Sequence, residues 1–167
     1  STNDIIVSQF GQACDARILM MAIQFRERLE GIKADDAGNY EKVMLFDSTS
    51  YTSPTNIRKT LIGEQPYKKG YESTLPLPGF CETLKMTMAF TTSWAFPLDL
   101  SIEGCKLDIH VPYIKDCEKA GFDFLIIFRA KKDQLGVMHI SRDAHHDNWE
   151  TLEDNILGDP IPGMFDL

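Results

Sequence analysis

The chain has 167 residues, 43% of them hydrophobic and 25% charged, with a formal net charge of −8. A composition of this kind can bury enough apolar surface to offset chain entropy, which excludes a disordered tract; 11 Gly, 8 Pro and 4 Cys exclude collagen-like and disulfide-scaffold chains. The acidic total weighs against nucleic acid as a partner, but residues 143–167 hold seven acids and no base, so residues 1–142 stand at −1.

In chain order, Ile18, Ala22, Phe25, Leu29 and Ile32 recur at three- and four-residue spacing. This predicts a first helix over 15–30, capped by Asp15 and closed by Gly31. Residues 33–39 read as a loop and Lys42–Phe46 as a short strand. Ser53-Pro54 opens a second helix that Gly63 closes, because Ser caps well and Pro at the first helical position loses no hydrogen bond. Residues 64–80, with Pro66, Pro76 and Pro78, form a long irregular segment. Alternation over 84–91 fits a strand, while its Met, Leu and Ala residues also allow a helix.

Leu98, Leu100 and Ile102 alternate with polar residues, as do Leu107, Ile109 and Val111. Gly104-Cys105 lies between the two runs. The pattern predicts a hairpin with Gly104 at the first central position of a type II′ turn, pairing Glu103 with Lys106, Ser101 with Asp108 and Asp99 with His110. A short helix over 114–119 follows. The unbroken apolar run Phe124–Phe128 predicts a strand buried on both faces, and residues 131–134 turn the chain into a return strand, Leu135–Ile140. The sum is an α+β fold: a mostly antiparallel sheet with helices packed on one face, in a single domain over 1–149. An acidic segment, 150–167, lies extended or packed on the surface.

No stretch approaches the roughly eighteen apolar residues of a membrane span. Ser1–Phe10 has neither a basic n-region nor a long apolar h-region. The expectation is a cytoplasmic protein with no membrane contact. Cys14, Cys81, Cys105 and Cys117 form no CxxC pair and read as reduced, buried thiols.

Three functional readings follow. The first is a non-catalytic protein-interaction module, of inhibitor, immunity or adaptor type, whose partner is another protein. Its contact surfaces are the acidic segment, with Phe165 near its end, and a basic and aromatic loop region of Arg58, Lys59, Tyr67, Lys68, Lys69 and Tyr71. The same interleaving can grip phosphates and stack bases, which keeps nucleic acid as a lesser partner. No cofactor is needed.

The second reading is a metal-dependent phosphodiesterase or nuclease. Asp99, Glu103 and Asp108 on the hairpin would hold a divalent cation, with Lys106 or His110 assisting. The order of elements over Trp94–Ile140, an acidic hairpin, a helix and a buried strand, resembles the core of restriction-endonuclease-type enzymes. The resemblance implies metal-assisted cleavage of a phosphodiester. That family's acid-x-lysine step is replaced here by Asp108-Ile109-His110. The plain alternative is a solvated strand face with ordinary cross-strand pairs.

The third reading is a small-ligand pocket between helix and sheet, lined by Met86, Met88, Phe90, Trp94 and Phe96. A polar cluster also follows the last strand: His139, Arg142, Asp143, His145, His146 and Asp147. No H-x3-H spacing marks it as a zinc site, and His139 itself reads as a satisfied interior or edge side chain.

Overall fold

Ile18-Leu-Met-Met-Ala-Ile23 is apolar at six consecutive positions. In the computed structural model of the protein it is a strand rather than the predicted helix. Ile18 and Ala22 of the predicted helical stripe belong to this unbroken run, which matches every period because every position in it is apolar. A continuous run fits a strand covered on both faces. The structure describes residues 1–26, 30–38, 40–62, 76, 87–94, 102–114 and 121–141. The predicted elements over 64–86, Pro76 apart, and over 115–120, and the acidic segment 150–167, lie outside them.

The described elements are α1 (Thr2–Ala13), β1 (Ile18–Gln24), β2 (Glu41–Phe46), α2 (Ser48–Tyr51), α3 (Pro54–Ile62), β3 (Met88–Trp94), β4 (Asp123–Lys131) and β5 (Gln134–Ile140). The five strands form one sheet in the order β2-β1-β3-β4-β5. β1 pairs antiparallel with β2, and β4 with β5. β1–β3 and β3–β4 are parallel. The fold is α+β in a single domain, and the sheet is mixed rather than mostly antiparallel. The parallel pairs arise because the chain between β1 and β3, and between β3 and β4, is long enough to return to the same end of the sheet.

All three helices pack on one face. Ile6, Val7 and Phe10 of α1, Tyr51 of α2 and Ile57 of α3 meet Leu19, Met21, Met44, Phe46, Leu125 and Ile127. The expected helix at Ser53-Pro54 is α3, and the expected strands at Lys42–Phe46, Phe124–Phe128 and Leu135–Ile140 are β2, β4 and β5. β4 is interior, between β3 and β5, as its run of apolar residues demands. Ile126 and Phe128 point to the opposite face, where Ile114, Phe124 and Met138 join them. By alternation with the buried Ala89, Met88 and Phe90 also face away from the helices. Phe90 stacks on Phe124 at 5.1 Å between ring centroids, so these two residues do not line a cavity between helix and sheet. Met86 and Phe96 fall outside the described residues.

Over 102–114 the predicted hairpin is not formed: no described residue there belongs to a strand. The turn closes one residue earlier than expected, by a hydrogen bond from Cys105 N–H to Ile102 O of 2.9 Å. Gly104 has φ +76° and so occupies the second central position of that turn. The alternating apolar residues find no face to cover: Ile102, Leu107 and Ile109 are exposed. So is Cys105, against the expectation of a buried thiol.

Candidate metal centre

The first helix ends in a Schellman motif. Asp15 N–H donates to Gln12 O at 3.0 Å and Ala16 N–H to Gly11 O at 3.1 Å. Asp15 takes the left-handed conformation the motif requires, φ +44°. This reverses the sequence reading of Asp15, which ends a helix instead of starting one. Cys14 is the last residue before the turn and is 3% exposed.

Tyr51 clamps the turn from both sides. Its ring lies against Gly11, where a Cβ would sit 2.6 Å from the ring. Its hydroxyl donates to Ala16 O at 2.8 Å. Burial, followed by the negative charges of Asp15, Cys14 and Asp47, pushes the phenol up to about 12, so it stays a donor. The turn that presents Cys14 is therefore held by a side chain from another helix.

Asp123 opens β4 and His139 lies near the end of β5 on the same face. The register that pairs Leu125 with His139 places Asp123 one step along the ladder from the imidazole. Asp123 Oδ1 is 4.0 Å from His139 Nε2, with the Asp side chain 4% exposed and the His side chain 14%. Ser141 Oγ donates to Asp123 Oδ1 at 3.3 Å. The ring of Phe10, on α1, meets the imidazole edge to face at 5.4 Å.

These elements bring Cys14, Asp123 and His139 together, with one donor atom from each lying within 4.8 Å of the other two. One ring nitrogen of His139 therefore has both the thiol and the carboxylate beside it. A cysteine–histidine relay instead uses the two ring nitrogens on two different partners. The electrostatics agree with shared ligation. Cys14 sits at the C-terminal end of α1, where the helix dipole favours a cation, whereas reactive thiolates prefer helix N-termini or neighbouring cations. Sulfur, imidazole nitrogen and carboxylate oxygen form a donor set that suits zinc; calcium and magnesium take oxygen alone. In a tetrahedral zinc site such donors stand roughly 3.3–3.6 Å apart, so closing the set needs side-chain movement of about 1 Å.

The residues singled out by sequence lie elsewhere. Glu103, Lys106 and Asp108 are exposed on the irregular segment 102–114 rather than paired across strands. His110 anchors that segment to the sheet: its N–H donates to Ala130 O at 2.9 Å and its Nδ1 is 3.1 Å from Arg129 O. Arg58 is engaged by the buried Asp4, Nε to Oδ2 at 2.8 Å. Lys59 is exposed in the last turn of α3. Asp99, Tyr67, Lys68, Lys69, Tyr71 and Phe165 lie outside the described residues, as do Arg142, Asp143, His145, His146 and Asp147. Sequence reasoning noticed His139 and missed Cys14 and Asp123. Asp123 stands just before the apolar run Phe124–Phe128 and His139 within the return strand, and no local spacing links either to Cys14. No helix among the described residues is long and apolar enough to cross a membrane. Comparison with protein-family models, curated proteins and solved structures finds no match to this chain.

Proposed function

We propose that the protein binds a transition metal of the zinc class through Cys14, Asp123 and His139. The observation that carries this reading is the convergence of three different metal-donor side chains, from three separate elements, on one largely buried point. Binding would expel the thiol proton of Cys14, so affinity rises with pH through the thiol's titration. It would also tie the end of α1 to the edge of the sheet. Ligands that assemble only in the folded chain stabilise the fold on binding metal.

Equilibrium competition against a coloured zinc chelator tests this. One zinc per chain is expected, lost in Cys14→Ala and in His139→Gln and retained in Glu103→Ala and Asp108→Ala. Far-ultraviolet circular dichroism checks that each variant folds, and Asp123→Asn serves if another does not. Equal zinc binding by folded wild-type chain and Cys14→Ala contradicts the proposal. Loss in Asp108→Ala alone moves the metal to the carboxylates of segment 102–114.

A second reading, the protein-interaction module, is supported by one observation. Ile102, Leu107, Ile109 and Tyr113 are all exposed within a single short segment, Tyr113 by 85%. Exposed apolar groups gathered in this way mark contact surfaces. Sedimentation across a concentration series is expected to show association that Ile102→Ser/Tyr113→Ser abolishes. Unchanged association in the double variant counts against this surface.

A further inference from the structure

We infer that Tyr51 is a positioning residue of the metal centre: from α2, its hydroxyl holds the turn after α1 so that Cys14 stands ready before the metal arrives, and the strength of metal binding depends on that hold. The inference rests on the metal-binding reading above and adds to it what sets the affinity.

The turn is strained as built. Cys14 ends the helix, its N–H donating to Phe10 O at 3.1 Å, and the bonds from Asp15 to Gln12 and from Ala16 to Gly11 close the turn. Asp15 has φ +44°. Glycine is the usual residue at this place because it adopts the left-handed conformation freely, whereas a residue with a Cβ does so at a cost. A strained turn relaxes when its support is removed, and the thiol beside it moves too.

The support comes from Tyr51, 35 residues further along the chain than Ala16. Its hydroxyl donates to Ala16 O at 2.8 Å, and its ring lies against Gly11. Gly11 and Ala16 are themselves joined by the outer bond of the turn, so one side chain grips both ends of it. The grip projects from a fixed backbone. Asp47 caps α2, accepting from Ser50 N–H at 3.1 Å and from Ser50 Oγ at 2.7 Å, and Tyr51 N–H donates to Asp47 O at 2.9 Å. Tyr51 is 3% exposed.

The hold matters because the donors are nearly, but not fully, assembled. Their atoms lie within 4.8 Å of one another. Coordination draws them to roughly 3.3–3.6 Å. A thiol already held near its place loses little freedom when the metal binds, and one that wanders loses more, so affinity falls. A merely structural role for Tyr51 gives a different pattern. Where the metal-free chain is fully folded, lowering its global stability leaves metal affinity untouched, because the competent fraction stays close to one.

Zinc affinity of the full chain tests this, measured by chelator competition where circular dichroism shows the metal-free chain folded. Tyr51→Phe keeps the ring against Gly11 and is expected to weaken zinc about five-fold, the worth of one ordinary hydrogen bond. Phe128→Leu, on the face of the sheet away from the helices, is expected to lower the denaturation midpoint and leave zinc affinity unchanged. Asp15→Gly removes the strain, so in that background Tyr51→Phe is expected to have a smaller effect; taking the ratio within each background cancels the lost charge of Asp15. Unchanged affinity in Tyr51→Phe overturns the inference and leaves metal binding standing. An equal loss in Phe128→Leu also overturns it, by showing that affinity follows stability. A Tyr51→Phe effect of the same size in both backgrounds overturns the role given to the turn. A wild-type chain that takes up no zinc overturns the metal reading itself.

Discussion

The buried carboxylate of Asp4 shows how a single residue takes a charge out of water. Burial alone would raise its pKa. Hydrogen bonds from the Ser1 amine, the Arg58 guanidinium and the Ser1 hydroxyl outweigh that effect and hold the carboxyl below its ordinary value of 3.8. A carboxylate whose folded pKa is depressed contributes stability that is present above the unfolded value and is lost as pH falls through the folded one. The Asp4 contribution is therefore whole at neutral pH and disappears only below 3.8. Arg58→Met removes one partner and leaves the buried charge poorly paired. Because the guanidinium is partly exposed, the expected cost is about 1–3 kcal/mol, under the full value for a buried pair. Melting temperature followed downward from neutral pH should show a smaller acid-dependent loss in the variant, because its Asp4 holds less stability for protonation to remove. Superimposable acid limbs would show that Arg58 does not hold Asp4 ionised. From sequence Arg58 looked like a phosphate-gripping residue; in the fold its charge is answered by a carboxylate far away in the chain.

At the scale of elements, the turn after α1 decides where Cys14 points. Gly11 weakens the helix in isolation, and Ala would improve its propensity by up to about 1 kcal/mol. The ring of Tyr51 forbids it, because a Cβ would lie 2.6 Å from a ring whose hydroxyl is fixed to Ala16. Gly11→Ala is expected to destabilise the chain by about 1–3 kcal/mol in chemical denaturation, as overpacked cores do. Tyr51→Leu should relieve part of that cost in the double variant. Strict additivity of the two changes would mean that ring and helix do not constrain each other. Much at this scale was legible in the sequence. Ser53-Pro54, the Phe124–Phe128 run and the turn at 131–134 carry local signals, and α3, β4 and β5 follow them. The errors came where a local pattern depended on distant partners. The alternation flanking Gly104 resembles a hairpin, but a strand also needs something for its apolar face to cover. Ile18–Ile23 satisfied a helical period only because it satisfied every period. The Schellman turn hid because Asp15, rather than Gly, occupies its left-handed position.

At the scale of the whole molecule, the proposed metal centre depends on topology. The parallel placement of β4 beside β3 and the antiparallel return of β5 set Asp123 and His139 on the helix face, and α1 brings Cys14 to them. No motif spacing connects these three positions, so sequence patterns could supply the elements but not their meeting point. Joining helix to sheet edge through one ion would bind the first and last described elements of the fold together. The most direct measurement is X-ray absorption at the zinc edge on the zinc-loaded chain, which counts donors by type. One sulfur at about 2.3 Å is expected, with the remaining donors nitrogen or oxygen at about 2.0–2.2 Å. A shell with no sulfur, or with more than one, would contradict it.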